Sequence, residues 1–145
     1  MYFVDRDKIE STLTYVESLL ELLQNQKSFD SFLEKLALER IGHLLIEAIL
    51  DVGNAMIDGF IMRDPGSYED IIDILEDESV IDSAAAASLK KVIAFRKSLV
   101  QEYTTIQHAQ LIETVKSEQQ TIASFPASIR TYLQNELGPV SAFKK

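Results

Sequence analysis

The sequence predicts an all-α protein, a bundle of four to six helices. Three observations carry that reading. Glycine and proline are few, 5 and 3 in 145 residues. Apolar residues recur every three or four positions over long stretches, the spacing of one buried helix face. No stretch alternates apolar and polar residues as a half-buried strand would.

The first helix is expected to begin near Asp7, because Asp7 and Glu10 have the spacing of a capping box. Ile9, Leu13, Val16, Leu20 and Leu23 then form its apolar stripe, and a break follows at residues 27–29. A long second helix is expected over residues 30–62, with Phe32, Leu33, Leu36, Leu44, Ile49, Val52, Met56 and Phe60 among its apolar positions. The run Arg63, Asp64, Pro65, Gly66 ends it, since proline cannot continue a helix and glycine favours a turn. Ser67 and Asp70 again have capping-box spacing and open a short helix through Ile71, Ile72, Ile74 and Leu75. Asp82 is the expected cap of the next, which continues through the alanines at 84–87 to about Tyr103. The last is expected over 107–137, broken or kinked by Pro126 and stopped by Gly138 and Pro139.

A chain of this length fits one domain over residues 1–145, and 46% apolar content supplies a core. Having no cysteine, it has no disulfide, iron–sulfur cluster or thiolate zinc site. No Gly-rich phosphate loop, HExxH or serine or cysteine triad pattern occurs, so neither a cofactor nor a metal is expected. The N-terminus has no secretory pattern and no run is long enough to span a bilayer, so a cytoplasmic protein without membrane partners is expected. The net charge of −9 argues against general nucleic-acid binding. The charge is uneven, however. Residues 64–82 hold eight acids and no base, whereas residues 83–101 hold Lys90, Lys91, Arg96 and Lys97 and no acid. Either these are two solvated faces, or the basic run marks a local anion site.

Three segments in order carry a resemblance. They are ERIGHLLIEAILDVGNAMI, with an Asp-x-x-Asn step at Asp51 and Asn54, then PGSYEDIIDILEDESVID, then AFRKSLVQEY. Together, over residues 38–103, the chain resembles the HepT-like proteins of the HEPN superfamily. The resemblance implies a helical ribonuclease of toxin–antitoxin type, active as a homodimer whose motifs meet across the dimer axis. Its implied partner is a minimal nucleotidyltransferase antitoxin that adds AMP to a motif tyrosine. The motif is Arg, four residues, His, one residue, Tyr. It places the arginine at Arg96 and the tyrosine at Tyr103, but the histidine position is Gln101. The family's common polar asparagine after the arginine is Lys97, and the histidine many members carry after Asn54 is Ala55.

The chemistry of these residues gives them unequal prospects. Cleaving RNA through its 2′-hydroxyl needs proton transfer and stabilisation of a negative phosphorane-like state. Arginine suits the second task with a permanent charge and a fork that matches phosphate. Glutamine's amide moves no proton. Arg96, Lys97 and Lys91 are therefore the expected phosphate or RNA contacts, Arg96, Gln101 and Tyr103 the candidate catalytic positions of the motif, Tyr103 the modification site, and Asp51 and Asn54 supporting residues. Cleavage is expected to be weakened or lost, with nucleotide, RNA or partner binding retained. The alternatives are an active toxin in which another group moves the proton, and a structural dimer without ligand.

Two further points follow. On one ideal helix, 96 and 103 lie within about 20° but 96 and 101 about 140° apart, so a site using 96 and 101 needs a helix end near 101 or a symmetric partner. The plainer reading pairs Arg96 with a carboxylate inside the bundle, Asp51 being a candidate. His43 and Glu47, four apart, have a spacing that could hold a metal but read first as a hydrogen-bonded pair, and His108 has no assigned role.

Overall fold

The computed structural model describes residues 3–138. Seven helical segments lie among them: α1 (Arg6–Asn25), α2 (Phe32–Gly59), α3 (Tyr68–Asp77), α4 (Ser83–Ile93), α5 (Arg96–Gln101), α6 (His108–Ser117) and α7 (Gln119–Leu137). The all-α expectation holds, with two of the expected helices each divided in two. Asp82 and Ser67 cap as expected, accepting from Ala85 N and Asp70 N.

Other boundaries differ from expectation. Asp5 rather than Asp7 caps α1, its carboxylate accepting from Lys8 N, and Asp7 lies in the first turn, where its charge suits the helix dipole. A full capping box, Ser31 with Glu34, opens α2 and fixes its start after Asp30. The helix ends at Gly59, before Met62. The expected helix through Tyr103 is interrupted at residues 94–95, where Phe95 N bonds back three residues to Val92 O. The break in the last helix falls at Glu118, not at Pro126, which sits buried inside α7. Glu118 is held there by hydroxyl donors: Ser88 of α4 at 2.6 Å and Ser117 at 2.8 Å. Ser88 is buried, so this bond satisfies a polar group that would otherwise destabilise the core. Gly138, at φ 78°, ends α7 in a conformation glycine tolerates. Pro139 lies outside the described residues.

α1 and α2 run antiparallel, since Gly59 at the end of α2 meets Val4 just before α1. α7 lies antiparallel along α1: Arg6 donates to Gly138 O at 3.0 Å, and Arg130 reaches both Glu10 and Glu17. α3 packs on α2 and α4, α4 also packs on α6 and α7, and α5 and α6 pack on α2. One continuous core joins them, with Leu13, Leu45, Ile49, Met56, Ile72 and Phe125 among its fully buried members. Phe32, Leu33 and Leu36, expected as apolar positions of α2, are instead exposed on its first turns.

Arg130 clamps α1 to α7. Its Nε and Nη2 donate to Glu10 at 2.9 and 2.7 Å, and its Nη1 and Nη2 to Glu17 at 3.0 Å each. Hydrogen bonds from this guanidinium hold both carboxyls below their ordinary range. Folding lowers these two pKa values, so the ionised pairs stabilise the fold above the usual carboxylate range. That contribution fades as pH falls through the lowered folded values. The pairs are substantially exposed, which limits each to about 0.2–1 kcal/mol. Arg130→Met should therefore melt below the parent at pH 7. The gap should close as both are titrated below the carboxylate range; a gap independent of pH would contradict the clamp.

Candidate functional site

Glu39, His43 and Glu47 lie four residues apart on α2 and Arg40 three before His43, so the four share one side of the helix. Just behind them is buried Gly42. A Cβ there would stand 3.4 Å from a Leu111 methyl of α6 and 3.6 Å from one of Leu99 on α5. α5 and α6 thus pack directly on α2 at the turn that bears His43.

Arg96, the first residue of α5, is brought onto that face. Its Nε donates to Glu47 Oε1 at 2.7 Å, and its side chain is about a quarter exposed. The partner is therefore Glu47, one helical turn before the expected Asp51. Above it, the guanidinium carbon sits 4.2 Å from the ring centre of Tyr68, a cation–π contact. Tyr68 is set in place by the turn before it. Ser67 caps α3, and Arg63 grips Asp70 through two bonds of 2.8 and 2.9 Å. Those bonds, with one from Gly66 N, hold the Asp70 carboxyl down at about 2. Glu47 and Tyr68 orient the guanidinium through Nε and one ring face. Its two Nη amines have no hydrogen-bond partner among the described residues, and they form the fork that suits a phosphate.

His43 shares the same carboxylate oxygen, its Nε2 lying 3.5 Å from Glu47 Oε1. Arg40 Nη1 is 3.5 Å from His43 Nδ1. One turn earlier, Glu39 Oε2 meets His108 Nε2 of α6 at 2.7 Å. Both histidines of the chain thus stand on the α2 face that receives Arg96, each beside a glutamate. Sequence reasoning gave no role to Glu39, Arg40, Tyr68 or His108, and read Glu47 as the partner of His43 rather than of Arg96. The i, i+4 spacing of Glu39, His43 and Glu47 was the available signal; nothing local announces Tyr68.

The other expected residues are placed less centrally. Gln101 is the exposed last residue of α5, the helix end that a shared site with Arg96 requires. Tyr103 lies beyond that end, 65% exposed, so it is off the helix that would have aligned it with Arg96. Lys97 is exposed beside Arg96 in sequence. Lys91 is also exposed, and its charge adds to the Ser88 and Ser117 hydrogen bonds that hold the Glu118 carboxyl below its ordinary range. Lys90 is turned to the acidic α3, ion-paired with Asp73 and 3.8 Å from Glu69, so part of the basic run neutralises the acidic one. Asp51 and Asn54 line a groove of about 480 Å³ between α2 and the start of α1, together with Asp5, Lys8, Thr12 and Asp58.

A family model described as "Ribonuclease HepT-like" matches residues 9–129. The chain belongs to the HepT-like ribonuclease family. "Putative RNase YutE" of Bacillus subtilis (strain 168) is 57% identical over 144 residues, covering 99% of this chain and all of that one. A solved structure described as a cytosolic protein of unknown function, YutE from Bacillus subtilis, superimposes with a TM-score of 0.96 at 57% identity, over 99% of this chain and 100% of the other. The HepT-like match spans every element that builds the Arg96 face, from α2 through α6. No helix among the described residues is long and apolar enough to cross a membrane.

Proposed function

We propose that this HepT-like chain binds RNA phosphate at Arg96 and that its cleavage is weakened because Gln101 stands where the motif calls for histidine. The observation that carries the reading is the state of the Arg96 guanidinium. Glu47 and Tyr68 fix it through Nε and a ring face, and both Nη amines are left for an anion. A pre-oriented arginine loses little freedom on gripping phosphate. Gln101, at the end of α5, offers an amide that hydrogen-bonds but does not titrate.

The same reading takes the protein as a cytoplasmic homodimer. The exposed Phe32, Leu33 and Leu36 on α2 support a second copy, being more apolar than a free surface favours. Tyr103, largely exposed, is open to AMP addition by a nucleotidyltransferase partner, which favours the toxin–antitoxin reading over a structural dimer without ligand. Incubating the parent and Arg96→Ala with single-stranded RNA tests the assignment. Slow cleavage by the parent that vanishes in Arg96→Ala is expected. Fast, Arg96-dependent cleavage would overturn the weakened-enzyme reading in favour of a fully active toxin.

A further inference from the structure

We propose that His43 is the general base of the slow RNA cleavage at the Arg96 site, with the protonation of the leaving oxygen left to water because Gln101 cannot supply it; this rests on the reading of Arg96 as the phosphate contact. His43 and Arg96 both reach Glu47 Oε1, at 3.5 and 2.7 Å. His43 Nε2 and Arg96 Nε are thus no farther apart than the sum of those distances, which sets the imidazole and the guanidinium side by side at Glu47. Glu47 Oε1 lies 3.5 Å from Nε2, and Nδ1 accepts from Arg40 at 3.5 Å, a long bond that a substrate hydroxyl can replace when it hands Nδ1 its proton. Arg40, 3.5 Å from Nδ1, brings a second guanidinium to the same spot. The imidazole is about 30% exposed, so a substrate can reach it. His108 is less suited. Its Nε2 is bound at 2.7 Å to Glu39, and it stands in the first turn of α6, where it ties that helix to α2.

The step balances without a co-reactant. Nδ1 of neutral His43 takes the proton of the RNA 2′-hydroxyl, and that oxygen attacks phosphorus. The P–O5′ bond breaks, leaving a 2′,3′-cyclic phosphate and a 5′-oxygen that takes a proton from water. The resulting hydroxide takes the proton from the imidazolium. Meanwhile Arg96 and Arg40 face the charge that develops on the phosphate. The charged groups set against His43 are Arg40 and Glu47 on its own helix and, through Glu47, Arg96 of α5.

The test compares the parent, His43→Asn, His108→Asn and Arg96→Ala for cleavage across pH 5–9 and for affinity toward a fluorescein-labelled single-stranded RNA. His43→Asn should keep its fold and RNA affinity but lose cleavage by about 100-fold or more, within the range for a removed acid–base group. It should also lose the pH step that the parent shows. His108→Asn should retain that step. Parental cleavage and pH profile in His43→Asn would overturn the proposal, as would loss of both in His108→Asn alone. If the parent binds RNA through Arg96 yet never cleaves it, the role of His43 fails and the phosphate site stands. If it neither binds nor cleaves, both fail.

Discussion

Gln101→His should raise RNA cleavage by about 10²–10⁴-fold over the parent, the usual worth of a positioned acid–base group. Gln101 is exposed at the end of α5, so the substitution touches no core contact and should leave thermal stability unchanged. An imidazole there adds, five residues from Arg96 as the motif prescribes, a group that can protonate the leaving 5′-oxygen, which His43 as the base leaves to water. The gain should disappear when Arg96 is also replaced, because proton transfer without charge stabilisation leaves the phosphorane-like state unsupported. A folded Gln101→His protein that binds RNA but cleaves no faster would show that Gln101 is not what limits the rate.

The second large effect falls on stability. Phe125 of α7 is 1% exposed and sits in the core where α7 packs against α1 and α4. Phe125→Ala should lower the unfolding free energy by about 3–5 kcal/mol, combining lost transfer energy with an unfilled cavity. For a domain whose total is commonly 5–15 kcal/mol, that is a large fraction. Urea denaturation followed by far-ultraviolet circular dichroism measures it. A change below about 1 kcal/mol would mean that α7 does not seal the core as described.

Much of the fold was legible because its signals are local. The apolar stripe of Ile9, Leu13, Val16, Leu20 and Leu23 is buried as its spacing implies, and the Ser67 and Asp82 caps sit where their side chains suit a helix start. The breaks at residues 94–95 and at Glu118 were not legible. Neither has proline or glycine, and the Glu118 break is held by a serine thirty residues away. Pro126 misled for the complementary reason: tertiary burial keeps α7 continuous through it. The site divides in the same way. Arg96 could be found from a motif within one segment. Its partners Glu47 and Tyr68 are 49 and 28 positions earlier in the sequence, and only the packing of α5 on α2 beside α3 brings them to it.

The central claim is that Arg96 holds RNA phosphate. Titrating a fluorescein-labelled single-stranded RNA with the parent and with Arg96→Ala, and following anisotropy at low and physiological salt, tests it most directly. A charge-assisted phosphate contact is worth about 1.5–3 kcal/mol, so the account predicts saturable binding by the parent that weakens by about 10- to 100-fold in Arg96→Ala. The salt dependence should fall by about one phosphate's worth. Equal affinity and equal salt dependence for the two folded proteins would contradict it.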